Sequence, residues 1–145
     1  MEDGLDIRYT RVFDISYLRH WLHDPEVLRW FSMSNDQEIE QAITCWMNFS
    51  GYNASLTAVI DRVPCGIATL FLPPYKKVSH NCLFKICVDP NYRRRGVGSA
   101  LIKNIKHLAK THFHFESIHA EVFDENPLIP QIGRASCRER VCQYV

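Results

Sequence analysis

The segment richest in chemistry spans residues 88–102, Val88-Asp89-Pro90-Asn91-Tyr92-Arg93-Arg94-Arg95-Gly96-Val97-Gly98-Ser99-Ala100-Leu101-Ile102. A β-rich run ends there, a basic turn with two glycines follows, and an amphipathic helix starts at once. The first turn of a helix leaves backbone N–H groups unpaired and carries about half a positive charge, which suits phosphate oxygens. Gly96 and Gly98 have no Cβ, so a ligand can come close to the backbone. Arginines beside such a nest add charge-assisted contacts to a pyrophosphate. Two better-known phosphate loops do not fit. A Walker A loop needs Gly-Lys-Ser/Thr, which the segment lacks, and a dinucleotide fingerprint needs Gly or Ala where Leu101 stands.

The pattern Arg93-x-x-Gly96-x-Gly98, set between Val88-Asp89-Pro90 and Gly98-Ser99-Ala100-Leu101-Ile102, resembles the Gln/Arg-x-x-Gly-x-Gly/Ala signature of the GNAT acetyltransferases. The run His119-Ala120-Glu121-Val122-Phe123-Asp124-Glu125-Asn126-Pro127 is similar to that family's fifth strand and the asparagine after it. The resemblance covers about residues 7–130 and is strongest from Phe84 onward. It implies acetyl-CoA as co-substrate, with no metal. Arg93, Arg94, Arg95, Gly96, Val97, Gly98 and Ser99 would hold its pyrophosphate. Ile86, Cys87 and Val88 would form a splayed strand edge facing the pantetheine arm, and Asn126 would contact that arm as well. The implied fold is α+β: a mixed, mostly antiparallel central sheet flanked by helices, the GNAT acyl-CoA N-acyltransferase fold.

Acetyl transfer from a thioester to an amine makes three demands. The amine must lose its proton, the thioester oxygen must be stabilised as charge develops, and the thiolate must be reprotonated. The resemblance implies direct attack in a ternary complex. It makes the Val88 backbone N–H the oxyanion donor and Glu121 the candidate general base, the position used by some peptide N-terminal acetyltransferases of the family. The acceptor is then a primary amine: a protein N-terminus, a side-chain amine or a small molecule. Asp14, Trp30 and Phe31 are weaker candidates for lining its pocket. An acyl-CoA-binding sensor domain without transfer activity is the alternative. Nucleic-acid binding through Arg93, Arg94 and Arg95 is disfavoured, because three arginines are a short patch in a near-neutral chain.

The elements that must position these groups are legible from periodicity. Residues 5–10 suit a first strand. Asp14 precedes Ile15, Leu18, Trp21 and Leu22, a helical stripe behind an Asp cap. Asp24-Pro25 opens a short helix, and Ser34-Asn35-Asp36-Gln37-Glu38 opens a longer one carrying Ile39, Ile43, Trp46, Met47 and Phe49. Strands are expected over 55–61, 66–72, 81–88 and 117–123, with a hairpin turn at Asp61-Arg62-Val63-Pro64. Residues 98–112 return to helix, with Val97, Leu101, Ile105, Leu108 and Ala109 on one face.

Composition bounds the rest. The chain has 145 residues, 46% apolar and 23% charged, which suits one globular domain. Seventeen basic against sixteen acidic residues provide no global field for nucleic acid or an anionic membrane. The longest apolar stretch, residues 66–72, falls short of the roughly 20 residues that cross a bilayer. An acidic start without an apolar run behind it argues against a secretory signal, so a cytoplasmic monomer or homodimer is expected. Cys45, Cys65, Cys82 and Cys87 read as small buried apolar residues, since no Cys-x-x-Cys or zinc-finger spacing is present. His112-x-His114 at a helix end lacks a third ligand, which disfavours a metal.

The tail departs from the family pattern. After Pro130 a helix with Leu-Tyr should follow, its Tyr protonating the thiolate, and then a last strand pair. Residues 131–141 instead show no apolar periodicity and hold Arg134, Arg138 and Arg140. Residues 132–141 also match a forward translation of a common sequencing adapter. The expectation is an acetyltransferase domain over 1–131, lacking its last helix and strands, joined to a non-native tail over 132–145. Without that tail the balance is 14 basic to 15 acidic residues.

Overall fold

A computed structural model describes residues 4–28, 35–73, 80–92, 95–121 and 141–144. Strand β1 (Leu5–Tyr9) leads through a 3-10 turn (Val12–Asp14) into α1 (Ile15–Leu22), α2 (Pro25–Leu28) and α3 (Asp36–Ser50). Strands β2 (Ser55–Ile60), β3 (Val63–Phe71) and β4 (Asn81–Val88) follow, then α4 (Val97–Thr111), β5 (Ser117–Glu121) and β6 (Val141–Tyr144). The sheet runs in the order β1-β2-β3-β4-β5-β6. All its pairings are antiparallel except β4–β5, which is parallel. The α+β reading with a mixed, mostly antiparallel sheet is correct.

Local chemistry accounts for most of these boundaries. Pro25 opens α2, where a missing N–H costs nothing. Asn35 caps α3 by accepting the Glu38 N–H at 2.9 Å. Asp61 and Arg62 both take positive φ (50° and 70°), so the β2–β3 hairpin turns on two residues and Val63 already belongs to the strand. Pro64 is tolerated in β3 because the β2–β3 register shifts there, between Ala58 and Val59.

Asp14 corrects the capping expectation. Its side chain makes no cap hydrogen bond to α1. It is fully buried, and its oxygens accept from both Arg8 guanidinium nitrogens (2.8 and 3.0 Å), the Arg11 N–H (2.8 Å) and the Thr57 hydroxyl (3.0 Å). A buried carboxylate must be satisfied, and these four donors satisfy it in place of the helix amides. Burial alone would raise the Asp14 pKa; the guanidinium and the other donors outweigh it and hold the carboxyl below its ordinary range.

The core has two layers. On one sheet face α4 packs Val97, Leu101, Ile105 and Leu108 against Ala68, Leu70, Phe84, Ile86 and Ile118. On the other, α1–α3 pack Leu18, Trp21, Leu22, Ile39, Ile43 and Trp46 against Ile67 and Cys87. Cys65, Cys82 and Cys87 are buried as expected, but Cys45 is exposed. It sits on α3 well round from the buried stripe of Ile39, Ile43 and Trp46.

At the far edge, β6 pairs antiparallel with β5, Ile118 opposite Tyr144 to Glu121 opposite Val141. Four residues of the expected tail thus occupy an edge where the sequence reading places no strand. An exposed strand edge recruits extended segments through backbone groups alone, with little demand on sequence. Among the described residues, no helix is long and apolar enough to cross a membrane.

Candidate active site

The site forms where β4 separates from β5. The parallel pairing between them covers only Asn81↔Ser117, Cys82↔Ile118 and Leu83↔His119. β4 runs on to Val88, paired with β3 alone, while β5 turns its far side to β6. The residues of β4 beyond Leu83 therefore present one edge that no described strand covers.

Which backbone groups lie on that edge follows from the hydrogen-bond alternation of an antiparallel pair. Asp89 donates its N–H to the Cys65 carbonyl (2.9 Å), and on the other side of β3 Leu70 donates to Ala54 (2.8 Å). With Gly66 opposite Val88, this places the backbone groups of Lys85 and Cys87 toward β3 and those of Phe84, Ile86 and Val88 toward the open edge. Of the three sequence-predicted edge residues, Ile86 and Val88 have peptide groups at the slot. Cys87 does not: its backbone groups turn to β3 and its side chain is 2% exposed in the α1–α3 layer. A period of two in the strand separates neighbours that adjacency in sequence had grouped.

The basic turn sits at the end of the same edge. Asp89 shapes it: its Oδ1 accepts the Asn91 N–H at 2.8 Å and its carbonyl accepts the Tyr92 N–H at 2.9 Å. Its Oδ2 accepts the Trp21 indole N–H at 3.0 Å, which ties the turn to α1. Gly96 is the N-cap of α4 in the left-handed region (φ 81°), and a Cβ there would meet nothing within 4 Å. Only the backbone conformation demands glycine at 96. Val97, Gly98 and Ser99 form the first turn of α4, and the first intrahelical bond runs from the Ala100 N–H to the Gly96 carbonyl (3.0 Å). The N–H groups of that turn thus point out of the helix beside the strand edge. Arg95 lies with its guanidinium 5.1 Å from the Tyr92 ring centroid. Arg93, Arg94 and Asn126 fall outside the described residues.

Gly66, which the sequence reading passed over, brings helix and strand together. A Cβ there would stand 2.9 Å from a Leu101 methyl, 3.0 Å from a Val97 methyl and 3.2 Å from the Cys87 carbonyl oxygen. Its lack of a side chain lets the first turns of α4 press onto β3 opposite Val88. A lone glycine in an apolar run is the sequence signal for such an approach.

Glu121 is the last residue of β5, two residues past the final β4–β5 pair. Asp14 is consumed by Arg8, Arg11 and Thr57, so it does not line an acceptor pocket; Trp30 and Phe31 lie outside the described residues. Among the described residues, no group of three or more His, Cys, Asp or Glu could hold a metal ion. A hollow of about 440 Å³ lies against the second half of α4, bordered by Ile7, Tyr9, Leu56, Asn104, His107 and His112, away from the glycine turn.

A parted parallel strand pair thus leaves a free edge that leads to a glycine-capped helix N-terminus. The chain belongs to the acetyltransferase (GNAT) family, whose model matches residues 14–128. No curated protein sequence matches it. Among solved structures it is similar to a GCN5-related N-acetyltransferase from Kribbella flavida, with a TM-score of 0.74 and 22% identity. That match covers 89% of this chain and 79% of the other. It is also similar to yncA from Salmonella typhimurium, solved with its cofactor acetyl-CoA (TM-score 0.65, 15% identity, 86% and 73% covered). A third is N-acetylglutamate synthase from Neisseria gonorrhoeae, complexed with coenzyme A and N-acetyl-glutamate. There the TM-score is 0.66 and the identity 16%, with 92% of this chain and 28% of the other covered.

Proposed function

We propose that the protein transfers the acetyl group of acetyl-CoA to a primary amine by direct attack in a ternary complex. The observation that carries this reading is the uncovered edge of β4 at Ile86 and Val88, continuous with the α4 N-terminus. The strand edge offers paired N–H and C=O groups that match the amides of a pantetheine arm, as a neighbouring strand would. The α4 amides and Arg93, Arg94 and Arg95 match the pyrophosphate. The acetyl-CoA and coenzyme A named with two of the similar structures support the same donor.

In this reading the Val88 N–H, turned away from β3, donates to the thioester oxygen as negative charge develops there. Glu121, on the opposite lip of the slot, accepts the amine proton directly or through water. The N–C bond forms, the C–S bond breaks, and a proton returns to the departing thiolate. Cys87, with its side chain in the α1–α3 core, takes no part as a nucleophile.

Titration with coenzyme A, followed by thiol release from acetyl-CoA over a panel of amines, tests the proposal. Micromolar binding and amine-dependent thiol release are expected. Binding without turnover on any amine would favour the sensor alternative, and no binding would sink both. Glu121→Gln should lower kcat and remove the acidic limb of its pH profile; full kcat at every pH would take Glu121 out of the mechanism. We further propose that residues 1–131 are the acetyltransferase domain and 132–145 a non-native tail. Resequencing the source DNA past codon 130 tests this, and an intact genomic frame encoding the tail would overturn it.

A further inference from the structure

We infer that Lys85 determines acceptor choice by selecting amines that carry a carboxylate, an inference that rests on the transfer reading above. Lys85 lies on β4, three residues before Val88 and at the first stretch where β4 and β5 no longer pair. Its side chain emerges on the α1–α3 face of the sheet, the face of Cys87, with its ammonium 5.1 Å from the Phe71 ring centroid. It is half-buried, and among the described residues no carboxylate pairs with it. Arg8, at comparable depth on this side, is by contrast bidentate to Asp14.

A half-buried ammonium held only by an aromatic face is under-satisfied, and a ligand carboxylate would complete it. The approach of the two substrates places that ligand. The glycine turn and the α4 N-terminus take the donor at one end and face of the slot, so the acceptor must come to the thioester from the α1–α3 side. That path passes the Lys85 backbone, and the ammonium reaches it by turning off the Phe71 ring of β3. Three residues of strand span about 10 Å, and a lysine side chain turned from the Phe71 ring toward Val88 covers over half of it. The carboxylate it can meet therefore stands several bonds from the reacting nitrogen, as in a glutamyl residue bearing a free α-amine.

Glutamic acid α-amide and glutamine α-amide differ by one charge at nearly constant shape, which makes them the probe pair. With acetyl-CoA, the wild-type protein should use the glutamyl amide with a kcat/KM about tenfold or more above the glutaminyl amide. Lys85→Met should erase that preference and Lys85→Glu reverse it, each with an unchanged affinity for coenzyme A and an unchanged urea midpoint. Equal use of both amides by the wild type, or an intact preference in Lys85→Met, would overturn the inference. If coenzyme A binds but no amine reacts, N-acetylglutamyl amide and N-acetylglutaminyl amide are titrated into the coenzyme A complex. Equal affinities there overturn the role of Lys85 while leaving donor binding intact. Failure to bind coenzyme A at all overturns the transfer reading itself.

Discussion

The indole N–H of Trp21 donates to Asp89 Oδ2 at 3.0 Å, across 68 positions of sequence. Trp21 is 1% exposed in the α1–α3 layer, and Asp89 directs the turn between β4 and the glycine loop. One hydrogen bond thus joins the helical layer expected to face the acceptor to the turn expected to hold the donor's phosphates. Trp21→Phe keeps most of the packing and removes the donor. It should cost about 1–2 kcal/mol in urea denaturation and weaken coenzyme A binding severalfold. An unchanged affinity would show that the turn holds its shape without α1.

The two glycines of the site should fail in different ways. Gly66→Ala puts a methyl 2.9–3.2 Å from Leu101, Val97 and the Cys87 carbonyl, so the Leu101 and Val97 side chains must give way and press α4 off β3. Overpacking of this kind costs about 1–3 kcal/mol, and the displaced helix N-terminus should lose tenfold or more in coenzyme A affinity. Gly96→Ala meets open space and carries only the left-handed backbone penalty, about 1 kcal/mol. Melting curves and coenzyme A titrations of the two variants separate packing from backbone conformation.

The Arg8–Asp14 pair should govern acid stability. The folded pKa of Asp14 lies below its unfolded value, so its stabilisation is complete above the ordinary carboxylate range. It is lost as pH falls through the folded value. Asp14→Asn keeps the shape but leaves Arg8 without its buried counter-charge, and should cost about 3 kcal/mol at pH 7, or roughly 6–12 °C in Tm. The gap between variant and wild type should close as the pH is lowered. A gap independent of pH would assign the effect to packing.

The thiols should differ sharply in reactivity. Burial pushes Cys65 up to about 11 and Cys82 up to about 12, while Cys45 is exposed. Since the thiolate is the reactive form, iodoacetamide at pH 8 should label Cys45 in the native protein and reach Cys65 and Cys82 only after unfolding. Peptide mass spectrometry checks this. Native labelling of Cys82 would mean that the β4 end of the sheet opens readily.

Much of this architecture is written locally. The Asn35 cap, the Pro25 start and the stripe from Val97 to Ala109 each set their elements with information a few residues long, and the structure follows them. The glycine-rich turn after Val88 is legible for the same reason: its chemistry lies in adjacent residues. Asp14 misled because an Asp before a helix is locally a cap, and only Arg8 and Thr57, brought near by β1 and β2, claim it instead. Cys45 misled because residue type alone does not say which side of a helix faces out.

By itself, then, the sequence determined the order of helices and strands, the family to which the chain belongs and the place of the glycine-containing basic turn. These depend on periodicity and on contiguous residues. Tertiary structure alone decided that β4 and β5 part after Leu83, that Ile86 and Val88 rather than Cys87 face the slot, and that Gly66 admits α4. It also decided that Lys85, on the strand that borders the slot, has its ammonium over an aromatic ring of β3 and no counter-charge among the described residues. Each of these is a relation between strands or layers far apart in the chain. Register and close approach come from packing, which a local pattern does not encode.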